Sequence, residues 1–419
     1  MGPIEKRLEK YLNNESRAGA FSGYSTVPLK AAVQALDYPQ RAFKSILITG
    51  TNGKGTVAFY LYRLLKQAGF RCGLYTSPHL VRVNERIVVD TSIPDEEALA
   101  IIDDIAGQTA DIPLTWFDMM TLTAFEHFKR ASVEYAVLET GLGGSLDSTT
   151  LVDPVLSVIT DISLDHTQVL GATVAEIARD KSAVIRKNVP CVSSSEDPAA
   201  VSVIRSRAKD MMSTLYEYGD AYSISNIEES DDISFTYTGN GRTIEGCRIS
   251  GGSFASAKNA AGALTSFFLL QPSASDNDCT SVLSENVLHG RFERLGRDVP
   301  VYYDVAHNES SLKHLIQTVD RRFSGKPVRY FVSFMIDKQP ERLLSIITAT
   351  GHETIYCLLP DSRAYTPDAE SVHAVPIDDT ASITALIDGN IPSIFCGTFR
   401  MYPYMADIIK NREGTEGDE

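Results

Sequence analysis

Cysteine is sparse and scattered. The 419 residues hold six, at positions 72, 191, 247, 279, 357 and 396, and no two form a C-x-x-C pair. That excludes a disulfide framework and a paired-cysteine zinc site, and leaves reduced, mostly buried thiols as the reading. Long apolar runs are missing as well. No stretch is long enough to span a membrane, and the opening Met1-Gly2-Pro3-Ile4-Glu5-Lys6 has no apolar signal region. A cytoplasmic chain with no membrane partner is the expectation. Positive charge is in deficit: 39 Lys and Arg stand against 54 Asp and Glu, a net charge of −15. A surface made for nucleic acid or an anionic bilayer is basic, so nucleic acid is not an expected partner either. There is no short-period repeat. The stretch from Asn411 to Glu419 is Gly/Glu-rich and is expected to be disordered.

What is present reads as an ordinary globular protein. Hydrophobic residues make up 43% and charged residues 22%, and the length suits two or three domains. From Ser45 to about Lys187, apolar runs alternate with helical patterns. The expected strands are Ile46–Thr49, Arg71–Tyr75, Tyr135–Glu139 and Val155–Thr160. They are continuously apolar, as strands buried on both faces are. The alternation predicts a parallel sheet with helices on both sides, and ligands bound beyond the C-terminal ends of its strands. Residues 233–244 carry Asn240-Gly241 between alternating runs, a hairpin signature and so a small antiparallel appendage. Helix is expected from Ala257 to Leu270, then a surface connection over Gln271–Thr280. A second alternation follows Arg291, with strands at Val301–Asp304, Arg329–Ser333, Thr354–Leu359 and Ser393–Phe395, and a helix from about Glu309 to Phe323. The fold class is therefore α/β: an N-terminal parallel-sheet domain over 1–288 with a small β appendage, a smaller Rossmann-like α/β domain over 289–412, and a disordered tail over 413–419. The glycine-rich turn Gly50-Thr51-Asn52-Gly53-Lys54-Gly55-Thr56 after the first strand marks the N-terminal one as a P-loop parallel-sheet ATPase domain.

Chemistry concentrates after the strands. Residues 45–56 run from an apolar strand into Gly50-Thr51-Asn52-Gly53-Lys54-Gly55-Thr56, and a helix-like stretch follows from Val57 to Ala68. Strand, glycine turn and helix start present free backbone N–H groups and a positive helix end to phosphate. Lys54 would pair with the terminal phosphates and the Thr56 hydroxyl with Mg²⁺. The spacing departs from G-x-x-x-x-G-K-[ST], because Gly55 separates lysine from threonine; the plain alternative is a turn that only joins strand to helix. Glu139 ends the run Tyr135–Glu139 and precedes Gly141-Leu-Gly-Gly144, which suits a hard-oxygen Mg²⁺ ligand or an ordinary polar strand end. Ser77, in Thr76-Ser77-Pro78-His79, adds a hydroxyl or merely a turn. Asp165-His166 follows the fourth strand, before the capping box Thr173-Val-Ala-Glu176. Lys181, beside Asp180, would repel Mg²⁺ as an ammonium and reads as a phosphate contact or a surface lysine. In the second alternation, Asp304, His307 and Asn308 end a strand and open a helix, and Arg291 stands at the domain junction, from where an arginine can reach a nucleotide.

Nine segments in order resemble the folylpolyglutamate synthase/dihydrofolate synthase family of Mur-type ATP-dependent amide ligases. They are Ile48-Thr-Gly-Thr-Asn-Gly-Lys-Gly-Thr56, Tyr75-Thr-Ser-Pro-His-Leu80, Asn84-Glu-Arg-Ile87, Leu138-Glu-Thr-Gly-Leu-Gly-Gly144, Leu164-Asp-His-Thr167 with Leu170-Gly171, Asp180-Lys181, Gly290-Arg-Phe-Glu293, Asp304-Val-Ala-His-Asn308 and Asp337-Lys338. The resemblance implies a ligase that joins L-glutamate to dihydropteroate or folate through an acyl phosphate, with ATP and Mg²⁺, and a monomer. It implies that Lys181 is carbamylated, an anionic oxygen ligand in place of a cation. Glu139, His166, Lys181, Ser77 and Thr56 are then the metal set, and Lys54, Lys181 and His307 the catalytic set, with His307 a candidate for the glutamate carboxylate. Gly50 to Thr56, Asn259, Arg291 and Asp304 are the ATP contacts. Phe117, Asp118, Thr121, Ser145 and Asp147 lie on the pterin side. Departures are Ser145 for arginine, Asp180 for glutamate, Ala183 and Val305 for glycine, and Glu309 for proline. The rival readings are another Mur-type amino-acid ligase, or a nucleotide-binding regulator that has lost ligase chemistry.

Overall fold

In the computed structural model, which describes residues 2–12, 25–296, 299–368, 371–387 and 389–413, the apolar run before the glycine turn lies inside a sheet. Its strands are β1 (Lys44–Thr49), β2 (Cys72–Tyr75), β3 (Ile87–Val89), β4 (Thr91–Ser92), β5 (Tyr135–Glu139), β6 (Pro154–Ile159), β7 (Cys191–Ser193) and β8 (Leu215–Glu217). Their order is β4-β3-β2-β5-β1-β6-β7-β8. The pairings from β2 to β8 are parallel, and β3 and β4 attach antiparallel at one edge. Ile46, Leu47 and Ile48 and every residue of β5 are buried, as the unbroken apolar runs require. Burial of each Ile, Leu or Val side chain among them contributes about 1.5–3 kcal/mol.

The helix after β1 spans Lys54–Gln67, beginning at Lys54 rather than Val57. Gly53 caps its first turn and Gly55 lies within it, and glycine is a poor helix former, so that turn carries no propensity signal. Val57, Tyr60, Leu61, Leu64 and Leu65 form its buried face. Gly69 (φ 91°) ends it: Gly69 N–H donates to Lys66 O and Phe70 N–H to Leu65 O, a Schellman closure.

Three further strands, β9 (Tyr222–Glu229), β10 (Asp232–Gly239) and β11 (Arg242–Ser250), pair in sequential order. Asn240 (φ 54°) and Gly241 (φ 72°) make the left-handed turn that Asn-Gly favours. The third sheet contains β12 (Glu293–Arg294), β13 (Val301–Asp304), β14 (Arg329–Val332), β15 (Glu353–Leu358), β16 (His373–Pro376) and β17 (Ser393–Cys396), in the order β12-β13-β17-β14-β15-β16. Only β12 is antiparallel. At its centre the rings of Phe331 and Phe395 stack with centroids 4.2 Å apart.

The chain divides into two compact units. One holds 1–226, 235–247 and 258–286; the other holds 227–234, 248–257 and 287–419. Two readings are corrected. The segment expected as a connection contains the start of a helix, Asp276–Glu285, capped by Ser275 and burying Cys279, Val282 and Leu283. The last helix, Tyr402–Glu413, includes residues 411–413 that composition assigned to the tail; residues 414–419 lie outside the described residues. No helix among the described residues is long and apolar enough to cross a membrane.

Candidate active site

Tyr75, Glu139, Thr49 and Ile159 end four neighbouring parallel strands, β2, β5, β1 and β6. Registers of Tyr75 with Leu138, Ile48 with Glu139 and Thr49 with Ile159 bring their following loops to one edge. Ligands of such sheets bind there.

The loop after β1 turns on Gly50 (φ 148°) and Gly53 (φ 90°). A Cβ at Gly50 would meet Thr160 Oγ1 at 1.8 Å, and one at Gly53 would meet Asn259 Oδ1 at 2.4 Å. Asn259, in the helix Phe254–Leu270, thus rests on the loop. The loop is strapped to the segment after β6. Thr51 N–H donates to Asp161 O at 2.7 Å, Ser163 N–H donates to Thr51 Oγ1 at 3.1 Å, and Asn52 Nδ2 donates to Ser163 Oγ at 3.4 Å. Sequence reasoning passed over Thr160, Asp161 and Ser163. The rule that polar residues just after parallel strands are informative would have found them.

Two amines converge on this loop. Lys54 Nζ donates to Gly50 O and Thr51 O, both at 3.2 Å. Lys181 Nζ donates to Gly50 O at 2.8 Å. Lys181 is 4% exposed; burial foremost, then the Lys54 charge, pushes its pKa down to about 7. Thr56, in the first helical turn, is buried.

Glu139 is buried and accepts Ser77 N–H at 3.1 Å, so the expected carboxylate and the Thr-Ser-Pro-His loop do meet. His166 (φ 49°) precedes the short helix Thr167–Leu170, and its Nε2 lies 3.8 Å from Asp165 Oδ1. No group of three His, Cys, Asp or Glu side chains fit to hold a metal is assembled among the described residues. Glu139 with the Thr56 and Ser77 hydroxyls is a hard-oxygen set suited to Mg²⁺. It gains a further anionic oxygen only if Lys181 is converted to a carbamate.

The residues expected on the pterin side lie on and near the loop after β5. A Cβ at Gly141 would meet the Phe117 ring at 2.5 Å. Asp118 caps the helix Trp116–Arg130 through Thr115 and accepts the Ser148 hydroxyl at 2.6 Å. Thr121 Oγ1 donates to Phe117 O at 2.9 Å and lies 3.3 Å from Tyr75 OH. Burial pushes the Asp147 carboxyl above its usual range. It accepts the N–H groups of Leu142 at 2.8 Å and Thr149 at 3.0 Å, so it shapes its own loop. Ser145 is exposed and donates to Asp180.

In the second unit, Asp304 ends β13 and accepts Phe292 N–H and Ala306 N–H, both at 2.8 Å. Burial raises its carboxyl and the Arg291 charge draws it back. Arg291 lies over the Phe399 ring, and His307 packs on the same ring at 5.5 Å. His307 Nδ1 is 2.8 Å from Val305 O. A carbonyl only accepts, so Nδ1 carries the proton, and a carboxylate bound at Nε2 requires the doubly protonated ring.

These features place the chain in a class. Residues 48–266 match the Mur ligase middle domain, and the chain is an ATP-dependent ligase of that type. It is 32% identical over 349 residues to the dihydrofolate synthase/folylpolyglutamate synthase of Bacillus subtilis (strain 168), covering 80% of this chain and 81% of that one. It is 28% identical over 382 residues to the Escherichia coli (strain K12) protein of the same name, covering 87% and 86%. Among solved structures, E. coli FolC in complex with DHPP and ADP matches with a TM-score of 0.86 at 25% identity, over 98% of this chain and 99% of that one. The chain belongs to the folylpolyglutamate synthase/dihydrofolate synthase family.

Proposed function

We propose that the protein joins L-glutamate to the free carboxylate of a pterin-bearing acid (dihydropteroate, folate or both) while ATP becomes ADP and phosphate. The observation that carries this is the meeting of Lys54 and Lys181 on Gly50 O, at the strand edge that also presents Glu139. Lys54 brings positive charge to a glycine loop that opens a helix, the arrangement that receives phosphate, and buried Lys181 reaches the same carbonyl from the other side. Relatives named dihydrofolate synthase/folylpolyglutamate synthase support the acceptor class.

An acceptor carboxylate oxygen attacks the γ-phosphorus, and the bond to the β–γ bridging oxygen breaks as ADP leaves. The glutamate amine then attacks the acyl carbon, loses a proton, and phosphate departs with the electron pair of the C–O bond. Lys54 neutralises charge on the migrating phosphoryl group, since positioning and electrostatics are most of what such a transfer asks of a protein. Glu139, His166, Ser77, Thr56 and a carbamylated Lys181 are the residues that would hold Mg²⁺, which when bound would further neutralise the phosphate charge. The carbamate forms when neutral Nζ attacks CO₂: an N–C bond forms, a C=O electron pair moves to oxygen, and Nζ gives up a proton to solvent. Burial of Lys181 favours the neutral amine this step needs. Phe117, Asp118, Thr121, Ser145 and Asp147 form the wall proposed for the pterin. Asn259, Arg291 and Asp304 are proposed nucleotide contacts, and His307, as imidazolium, a contact for the glutamate carboxylate. We assign the working state to a cytoplasmic monomer with domains at 1–288 and 289–412.

The test is ADP release with glutamate and dihydropteroate, tetrahydrofolate or no acceptor. Release that depends on a pterin acceptor is expected. Turnover only with other acceptors points to another amino-acid ligase, and nucleotide binding with no turnover points to a regulator.

A further inference from the structure

Asp180 sits in the last turn of the helix Val174–Lys181, where the carbonyl end of a helix disfavours an anion. Both of its oxygens are engaged by one loop. Gly144 N–H donates to Oδ2 at 2.9 Å, and the Ser145 hydroxyl donates to Oδ1. The packing leaves no room for side chains. A Cβ at Gly143 would meet Asp180 Oδ2 at 2.3 Å, and one at Gly144 would meet Lys181 O at 2.7 Å and its Cα at 2.9 Å. The loop continues β5, the strand that ends in Glu139. Thr49 Oγ1, at the end of β1, donates to Gly143 O at 2.6 Å. Strand β1, the loop and Asp180 thus surround the same short stretch of chain as buried Lys181.

We propose that Asp180 is a positioning residue: with Gly144 N–H and the Ser145 hydroxyl it clamps the loop after β5 onto Lys181, shields Nζ from solvent and holds it against the nucleotide loop. The inference deepens the carbamate reading above and rests on it for its chemistry. Carbamate loss requires a proton at Nζ; the N–C bond then breaks, its electron pair stays on nitrogen, and CO₂ leaves. A clamp that keeps water from Nζ slows that loss. It also explains why the residue before Lys181 is an acid despite its place at the helix end.

The experiment compares the full-length wild type with Asp180→Ala, Ser145→Ala and Asp180→Glu. Carbamate is read by ¹³C NMR in ¹³C-bicarbonate, and access to Lys181 by mass-spectrometric mapping of acetylation with acetic anhydride. Asp180→Ala is expected to lose most of the carbamate signal at ambient CO₂, regain it at high bicarbonate, and acetylate at Lys181 several-fold faster. Its kcat should follow bicarbonate while the KM for ATP holds. Ser145→Ala should fall between, and Asp180→Glu should restore both readouts. Removing the exposed Ser145 hydroxyl leaves the fold in place, so that variant decides the matter if Asp180→Ala does not fold. Unchanged signal and unchanged acetylation in the variants overturn the clamp. A wild type with no carbamate whose Lys181 becomes reactive only in the variants supports the clamp and overturns the carbamate reading alone. A wild type with no carbamate and a reactive Lys181 overturns both.

Discussion

Gly50 O is shared by two lysines with different work, and substitutions separate them. Lys54→Ala removes a charge from the phosphate end of a loop whose fold depends on glycines and on Asp161 and Ser163. Turnover should fall about 10²–10³-fold, the scale for deleting one group that stabilises developing charge, with the circular dichroism spectrum and Tm unchanged. Near-normal turnover at saturating ATP would remove the loop from catalysis. Lys181→Ala should also be inactive, but short carboxylic acids should restore part of the activity by replacing a missing oxygen. Lys181→Arg should not respond, because it keeps its charge and cannot take up CO₂; full activity of either variant would sink the assignment. Lys54, Thr56, Ser77 and Glu139 could be picked out as candidates because each stands at or soon after the end of an apolar run. The role of Asp180 was not, because its loop partners, Gly144 and Ser145, lie 36 and 35 residues away in the chain, and no local pattern encodes that distance.

At the scale of elements, the helix Val174–Lys181 delivers Asp180 and Lys181, and its start was readable. Glu176 N–H donates to Thr173 Oγ1 at 3.2 Å, and Glu176 Oε2 accepts Thr173 N–H at 3.0 Å. Thr173→Ala should cost about 1 kcal/mol, seen as a lower urea midpoint with an unchanged m-value, and kcat should fall because the frayed helix misplaces Lys181. An unchanged midpoint would mean that tertiary packing alone holds this helix. Strands of four residues or more with apolar sequences, such as β5 and β13, could be read directly. The three-residue strands β7 and β8 are too short to show a period, and β16 contains Pro376. The helix Asp276–Glu285 was hidden by its polar composition, although Ser275 as cap and the spacing of Cys279, Val282 and Leu283 were there to find.

For the whole molecule, two α/β patterns in the sequence became two units, while the grouping of 227–234 and 248–257 with the second unit was hidden within one continuous β segment. The cysteine reading applies to both units. All six thiols are free and buried. Burial pushes Cys247 up to about 11 and Cys72 and Cys279 up to about 12, and raises Cys191, Cys357 and Cys396 as well. The folded chain therefore keeps thiol protons that the unfolded chain releases from about pH 9 upward. Their contribution is fully present below the unfolded value and is lost as pH rises through the folded ones. Each thiol withdraws about 1.4 kcal/mol per pH unit in that window. Stability to urea should climb gently between pH 7 and 9, where the depressed amine of unmodified Lys181 has lost its proton in the folded chain alone. It should fall steeply above pH 9 as the thiols outweigh that amine, with buried tyrosines such as Tyr356 adding to the loss from about pH 10. Cys247→Ala should make the fall shallower at its onset. Ellman's reagent at pH 8 should find no reactive thiol in the native protein and all six in urea. Rapid labelling without urea, or a midpoint that holds steady to pH 11, would show that these thiols are not sealed in the two cores.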